Sequence, residues 1–203
     1  MYTPGVSAPC LEIKKDEDLS LTLTWRGNVV AVISDGTRVL GLGDIGAAAA
    51  MPVMEGKSAL YKRFGNIDAI PIVINTKDKD EFIHTVQLLE KSFAGINLED
   101  ISSPKCYDIE DELKRTMNIP VFHDDQHGTA IAALAALLGA LKVAGKKIED
   151  VKIVMNGAGA AGTAIARLIL EAGADPAKMT ILNSRGILYD NGKRDRVQLE
   201  LIK

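Results

Sequence analysis

The sequence predicts an α/β fold built on a largely parallel sheet. Two observations carry the prediction. Apolar, β-branched runs such as "VVAVIS" and "AIPIVI" alternate with segments of helical period along the whole chain, and "GAGAAG" at 157–162 stands between a strand run and a run of good helix formers. With 203 residues, 47% of them apolar, the chain has material for a packed core in one large domain or two small ones.

The elements follow in order. After Pro4 and Pro9, "LEIKKDEDLS" reads as a short charged helix. "NVVAVISDGTRVLGLG" then changes period: a β-branched strand, a DG turn and a second short strand, which is the signal for a hairpin. Proline is tolerated in the first turn of a helix but not in its interior, so "PVMEGKSALYKRFG" is expected to be a helix that starts at Pro52 and stops at Gly65, with Lys57 on its second turn. There follow a strand "AIPIVI", a helix near residues 79–92, a short strand "AGINLED", a helix from Pro104 and a strand "IPVF" at 119–122. From Gly128 to Val143 apolar residues dominate all round, which predicts a long buried helix. Its apolar core, "AIAALAALLGAL" at 130–141, is shorter than the ~20 residues of a membrane span. "AGKKIED" is a loop, "VKIVMNGAGAAGTAIARLILEAGA" a strand, glycine turn and helix, and "KMTILNS" a second strand. A domain boundary is expected between 125 and 145, with the long helix joining the parts. The ending "KRDRVQLELIK" has no obvious partner and is expected to fray.

Composition narrows the function. A net charge of −3 with no basic block lacks the electrostatic footprint of a nucleic-acid binder, so small metabolites are the expected partners, with no nucleic acid and no membrane. Cys10 and Cys106 make no disulfide framework and suit a reducing compartment, and "MYTPGVSAPC" lacks the features of a secretory signal. The reading is cytoplasmic.

Two stretches fit GxGxxG, "GLGDIG" at 41–46 and "GAGAAG" at 157–162. The second follows a strand and opens a helix, so the helix amino end and its free N–H groups can receive a pyrophosphate; Gly157, Ala158, Gly159, Ala160, Ala161 and Gly162 are the expected nucleotide turn. In the first, Asp44 would face the phosphates and Pro52 would interrupt a following helix. It is read as a shaped connection without nucleotide. The acid expected ~20 residues beyond a dinucleotide turn is replaced by "NSRG" at 183–186. Asn183 can bond a ribose hydroxyl without repelling a 2′-phosphate, and Arg185 could pair with one, which leans toward NADP or mixed use.

Two acidic pairs each end an apolar strand: Glu99 and Asp100 in "GINLEDI", Asp124 and Asp125 in "PVFHDDQHGTA". Carboxylates gathered at strand carboxyl ends repel unless a hard divalent cation intervenes, which points to Mg²⁺ or Mn²⁺; the competing reading makes Asp124 or Asp125 an N-cap for a helix beginning near Gly128. His123 and His127 at i and i+4 would suggest zinc on a helix, but the preceding strand and the glycine argue against helical geometry there. His84 is read as exposed.

Together "YTPGVSAPC", "SDGTRVLGLGDIGAAAAMPVMEGK", "INLEDI", "FHDDQHGTA" and "NGAGAAG" resemble the malic enzymes, the bacterial and archaeal branch in particular. The resemblance implies a substrate and metal domain over 1–127, its start missing, and an incomplete Rossmann-type NAD(P)-binding domain over 128–203. It implies oxidative decarboxylation of malate to pyruvate and CO₂ with NAD or NADP and Mg²⁺ or Mn²⁺. Carried over by motif, Glu99, Asp100 and Asp125 are metal ligands, Lys57 the general base, Tyr2 the general acid, Arg38 a ligand of a substrate carboxylate, and Asp124 an orienting partner of Lys57. Full-length members are expected to be homo-oligomers.

A doubly wound nucleotide domain needs two βαβαβ halves, and only 41 residues follow Gly162. Unfinished sheet edges, uncovered apolar surface and little or no turnover by this chain alone are therefore expected. The alternative function is a catalytically silent piece that keeps metal- or nucleotide-binding elements.

Overall fold

The computed structural model describes residues 2–190, 192 and 194–202. The chain forms two compact units, one of Met1–Ile101 with Tyr107–Phe122, the other of Ser102–Cys106 with His123–Lys203.

The first unit opens with helices α1 (Ser7–Lys15) and α2 (Ser20–Leu23) and is built on strands β1 (Val29–Ser34), β2 (Asp68–Val73), β3 (Gly95–Leu98) and β4 (Val121–His123), in the order β2-β1-β3-β4. β1 runs parallel to both neighbours, with Val30 opposite Ala69 on one side and Gly95 on the other. The helices between strands are α3 (Ala47–Gly65), α4 (Lys79–Leu88) and α5 (Lys105–Thr116). A central parallel strand covered on both faces is apolar nearly throughout, and β1 is so from Val29 to Ile33: Val29, Val32 and Ile33 are fully buried, with Leu98, Phe82, Met54, Ile109 and Leu113 packed in the same core. Buried Arg26 ties this unit's opening segment down, its guanidinium donating to the carbonyls of Phe93 and Glu90 and to Ser20 Oγ at 2.5–3.2 Å.

The expected hairpin does not form. After β1 the chain enters a closed loop whose only ladder-like contact among the described residues is an isolated bridge between Val39 and Gly43. The DG pair makes an Asx turn instead: Asp35 Oδ1 accepts the Thr37 amide at 3.0 Å and its hydroxyl at 2.6 Å. Gly36, at φ +71°, lets its carbonyl collect the amides of Ile45 and Gly46, so the loop returns on itself. There is no room for a Cβ, which would lie 2.3 Å from the Gly46 oxygen.

α3 begins at Ala47, five residues earlier than expected, and contains Pro52. Four consecutive alanines are the best helix formers available, and they carry the helix past a proline whose cost is the bond to Ala48 and a local clash. "GLGDIG" therefore does lead directly into a helix. The stop is Asn66, left-handed at φ 52°, rather than Gly65.

In the second unit α6 (Asp124–Ala144), β5 (Ile153–Asn156), α7 (Ala160–Glu171), β6 (Met179–Asn183), β7 (Gly186–Ile187) and α8 (Arg196–Ile202) follow in order. β5 and β6 are parallel, Ile153 opposite Met179, and β7 returns antiparallel on β6. Ala158, Ala166, Ile181 and Leu188 form its small core. α8 is a helix with partners, contrary to the frayed tail expected: Val197 is buried and Glu200 pairs with Arg167 of α7.

The long apolar helix also differs from expectation. α6 has 21 residues, long and apolar enough by composition to cross a membrane. It packs on α7 along one side only. Ile131, Leu138 and Val143 are exposed, the last at 91%, because a helix apolar all round needs neighbours on several sides. Val154 on edge strand β5 and Ile187 are exposed as well.

Candidate functional site

Within the first unit, the carboxyl end of β3 carries the chemistry. The Glu99 amide extends the ladder by donating to the Ile33 carbonyl at 2.9 Å, and the chain then turns sharply at Asp100, φ 56°, a conformation aspartate tolerates better than most residues. The turn buries both carboxylates, Glu99 to 6% exposure and Asp100 to 4%. The Asp100 carbonyl accepts the Arg38 amide at 3.0 Å, which fixes the closed loop against the end of the sheet.

Lys57 reaches the same point from the third turn of α3. Its ammonium lies 3.1 Å from Glu99 Oε1. Glu99 Oε2 accepts Asn97 Nδ2 at 2.9 Å, and Asn97 Oδ1 accepts the Tyr61 hydroxyl at 2.8 Å. Lys57 and Tyr61, one helical turn apart, thus grip one buried Asn97–Glu99 pair from the same face of α3. Charges this far from water persist only when paired and hydrogen-bonded, and both conditions are met. Tyr61 and Asn97 were not anticipated. The available signals were the i, i+4 spacing with Lys57 and an amide inside an apolar strand.

The other residues expected in this unit lie apart from that network. Tyr2 is 78% exposed, its carbonyl accepting the Val6 amide, and the Arg38 side chain is exposed while its backbone is held. Asp44 accepts from Lys77, 33 positions further on, at 2.6 Å.

In the second unit, α6 starts at Asp124, with His123 as its N-cap residue, so Asp124 and Asp125 occupy the first turn rather than the cap. Gly128 lies inside the helix instead of preventing it. A Cβ there would fall 2.0 Å from Asp124 Oδ1, so this carboxylate rests directly over the glycine. His123 is fully buried, with Nε2 3.1 Å from Asp125 Oδ2 and Nδ1 2.7 Å from Gln126 Nε2. With both ring nitrogens engaged inside this segment, His123 is not paired with His127 as a zinc ligand. In the first unit Glu99 and Asp100 offer two buried carboxylates, hard oxygen donors of the kind Mg²⁺ and Mn²⁺ take.

The glycine turn has the form a dinucleotide requires. Gly157 sits at φ +136°, the Gly157 amide is held by the Leu182 carbonyl at 2.8 Å, and α7 opens at Ala160 with no acid in its first turn. A Cβ on Gly162 would lie 2.1 Å from the Gly157 carbonyl oxygen, whereas one on Gly159 would meet nothing within 4 Å. The third glycine is thus a packing requirement, and the second leaves open space. Buried Thr163 donates to the Gly159 carbonyl at 2.9 Å, and Gln198 of α8 donates to the Ala158 carbonyl at 2.7 Å; neither was anticipated. Asn183 Oδ1 accepts the Arg185 amide at 2.8 Å in its own turn, and Arg185 is exposed.

Comparison with known proteins agrees with both units. Residues 1–80 match the family model of the malic enzyme N-terminal domain, and residues 126–187 that of the malic enzyme NAD binding domain. The bifunctional malic/malolactic enzyme of Bacillus subtilis is 51% identical over 96% of this chain and 48% of its own length. The NADP-dependent malic enzyme of Haemophilus influenzae is 52% identical over 97% of this chain and 26% of its own length. The crystal structure of the NAD-dependent malic enzyme from Thermotoga maritima superposes with a TM-score of 0.94 at 47% identity, over the whole of this chain and 54% of that one. The chain therefore spans about half the length, or less, of the relatives it matches. With both domain models met in order along one chain and about half of its residues shared with these relatives, the chain belongs to the malic enzyme family.

Proposed function

We propose that this chain carries residues for the oxidative decarboxylation of malate to pyruvate and CO₂, with reduction of NAD⁺ or NADP⁺ and dependence on Mg²⁺ or Mn²⁺. The observation that carries the proposal is the Lys57–Glu99 pair at 3.1 Å, a half-buried lysine on a buried carboxylate that Asn97 and Tyr61 brace. A lysine held at one spot beside buried carboxylates is a proton-transfer group in a place where water is scarce.

Once Lys57 has given up the proton that pairs it with Glu99, its neutral amine can accept the C2 hydroxyl proton of malate, and a bound nicotinamide nucleotide would supply the acceptor for the C2 hydride. The resulting β-keto acid loses its β-carboxylate as CO₂, and the Tyr2 phenol returns a proton to C3. Arg38 offers a planar fork to a substrate carboxylate, and Asp124, fixed over Gly128, orients the base. Glu99, Asp100 and Asp125 would hold the divalent cation. When bound, it supplies polarisation of the C2 oxygen and charge stabilisation during loss of CO₂. Gly157–Gly162 with the amino end of α7 would receive the pyrophosphate, and Asn183 and Arg185 would meet the adenosine ribose. Arg185 supports acceptance of NADP alongside NAD.

The test is nucleotide reduction with malate, Mn²⁺ and each nucleotide in turn, on this chain and on a version extended to the length of its relatives. NADH or NADPH and pyruvate should appear together and only with all components present; no reduction in the extended protein contradicts the proposal. A second reading, binding without turnover, is favoured by the span of the match, at most 54% of the relatives cited. It predicts Mn²⁺ and nucleotide binding by this chain with reduction confined to the extended one.

A further inference from the structure

The hydrogen-bonded chain around His123 has a direction. The amide nitrogen of Gln126 lies 2.7 Å from His123 Nδ1 and, as a donor, pairs with an unprotonated Nδ1. The single proton of the neutral ring then sits on Nε2, 3.1 Å from Asp125 Oδ2, and is donated to it. The ring is fully buried at the end of β4, on the residue that caps α6 with φ −105° and ψ 105°. All three residues fall within four consecutive positions, and none of these bonds depends on a distant element.

From this geometry we propose that His123 is a positioning residue for Asp125, and that Gln126 fixes the histidine tautomer that does so. Gln126 donates to His123, His123 donates to Asp125 Oδ2, and the carboxylate plane, with the direction of its other oxygen, is set before any cation arrives. Hydrogen-bonded partners behind a metal ligand ordinarily govern affinity by 10–100-fold, because the ligand otherwise loses rotamer freedom only when the metal binds. The inference rests on the proposed role of Asp125 as a ligand.

The test combines three measurements on the full chain. Mn²⁺ affinity is measured by calorimetry for wild type, Asp125→Asn, His123→Phe and His123→Gln, the last placing an amide donor near the position of Nε2. Ring ¹⁵N shifts of His123 are read in the metal-free wild type. Asp125→Asn should abolish the site, His123→Phe should weaken Mn²⁺ about 10–100-fold, and His123→Gln should recover most of that loss. The ring should be the Nε2–H tautomer, shifting toward a mixture in Gln126→Leu. An unchanged affinity in Asp125→Asn overturns the ligand assignment and this inference with it. Loss in Asp125→Asn with wild-type affinity in His123→Phe, or an Nδ1–H ring in the wild type, overturns the positioning role alone. The ring measurement decides the matter even if His123→Phe does not fold.

Discussion

Gly159 and Gly162 belong to one motif, yet the structure predicts opposite consequences for the same substitution. In Gly162→Ala the new Cβ is built 2.1 Å from the carbonyl oxygen of Gly157 and 2.8 Å from its carbon. Both obstacles are backbone, so no side chain can swing aside, and about 1 Å of separation must come from moving the turn away from α7. Overpacking of this kind costs about 1–3 kcal/mol, here toward the upper figure, while alanine in place of glycine in a helix returns about 1 kcal/mol. The expected net loss is about 2 kcal/mol for the second unit, with the Gly157 turn displaced and nucleotide affinity reduced. In Gly159→Ala the Cβ meets nothing within 4 Å and φ is −89°, so stability should change by less than about 1 kcal/mol. The methyl group instead fills the space a pyrophosphate needs, and affinity for NAD⁺ and NADP⁺ should fall at least about tenfold. Denaturant melts by circular dichroism and nucleotide titration by calorimetry separate the two. A Gly162→Ala protein as stable as wild type, or a Gly159→Ala protein with unchanged nucleotide affinity, refutes the division of roles.

Three further outcomes follow from the same structure. Glu99→Ala leaves Lys57 and Asn97 without the carboxylate they share and should cost about 3 kcal/mol in denaturant melts, against about 1 kcal/mol for Tyr61→Phe. Gly128→Ala places a Cβ 2.0 Å from Asp124 Oδ1, an obstacle that a flexible side chain can leave, so the melt should barely move while malate oxidation in the extended protein falls at least about tenfold. At Glu90 burial raises the carboxyl pKa, but the ion pair with Lys91 and the Asn118 amide outweigh it and hold it below the ordinary 4.5. A depressed carboxylate stabilises above its unfolded pKa and loses that contribution as pH falls through the folded one, so acid melts below about pH 4.5 should be shallower in Glu90→Gln than in wild type.

The parts of this molecule legible in its sequence are those written in local period. "VVAVIS" and "AIPIVI" announce parallel strands through their apolar, β-branched runs, the first buried at the centre of the sheet and the second half-buried at its edge, and "GAGAAG" is separable from "GLGDIG" because one follows a strand directly. Pro52 plays no part in that separation, since α3 follows "GLGDIG" directly and contains the proline. The hairpin failed because Asp-Gly serves an Asx turn as well as a type I′ turn, and only the close approach of Gly36 to Gly46 shows which. α6 was legible as a helix and not as an exposed one: an apolar pattern states that a surface wants covering and says nothing of what covers it. The role of Lys57 is legible only through the family resemblance, whereas Glu99 is also marked by its place in an acidic pair at the end of an apolar strand. Tyr61 and Asn97, 36 positions apart, could not be joined by any period, because their meeting is fixed by how α3 crosses the end of β3.

The account stands most directly on Lys57. Malate-dependent reduction of NAD(P)⁺ with Mn²⁺, compared between wild type and Lys57→Ala in the protein extended to the length of its relatives, isolates the proton transfer assigned to that amine. The rate should fall roughly 10²–10⁴-fold with nucleotide and Mn²⁺ affinities retained. A Lys57→Ala protein that oxidises malate at the wild-type rate contradicts the assignment.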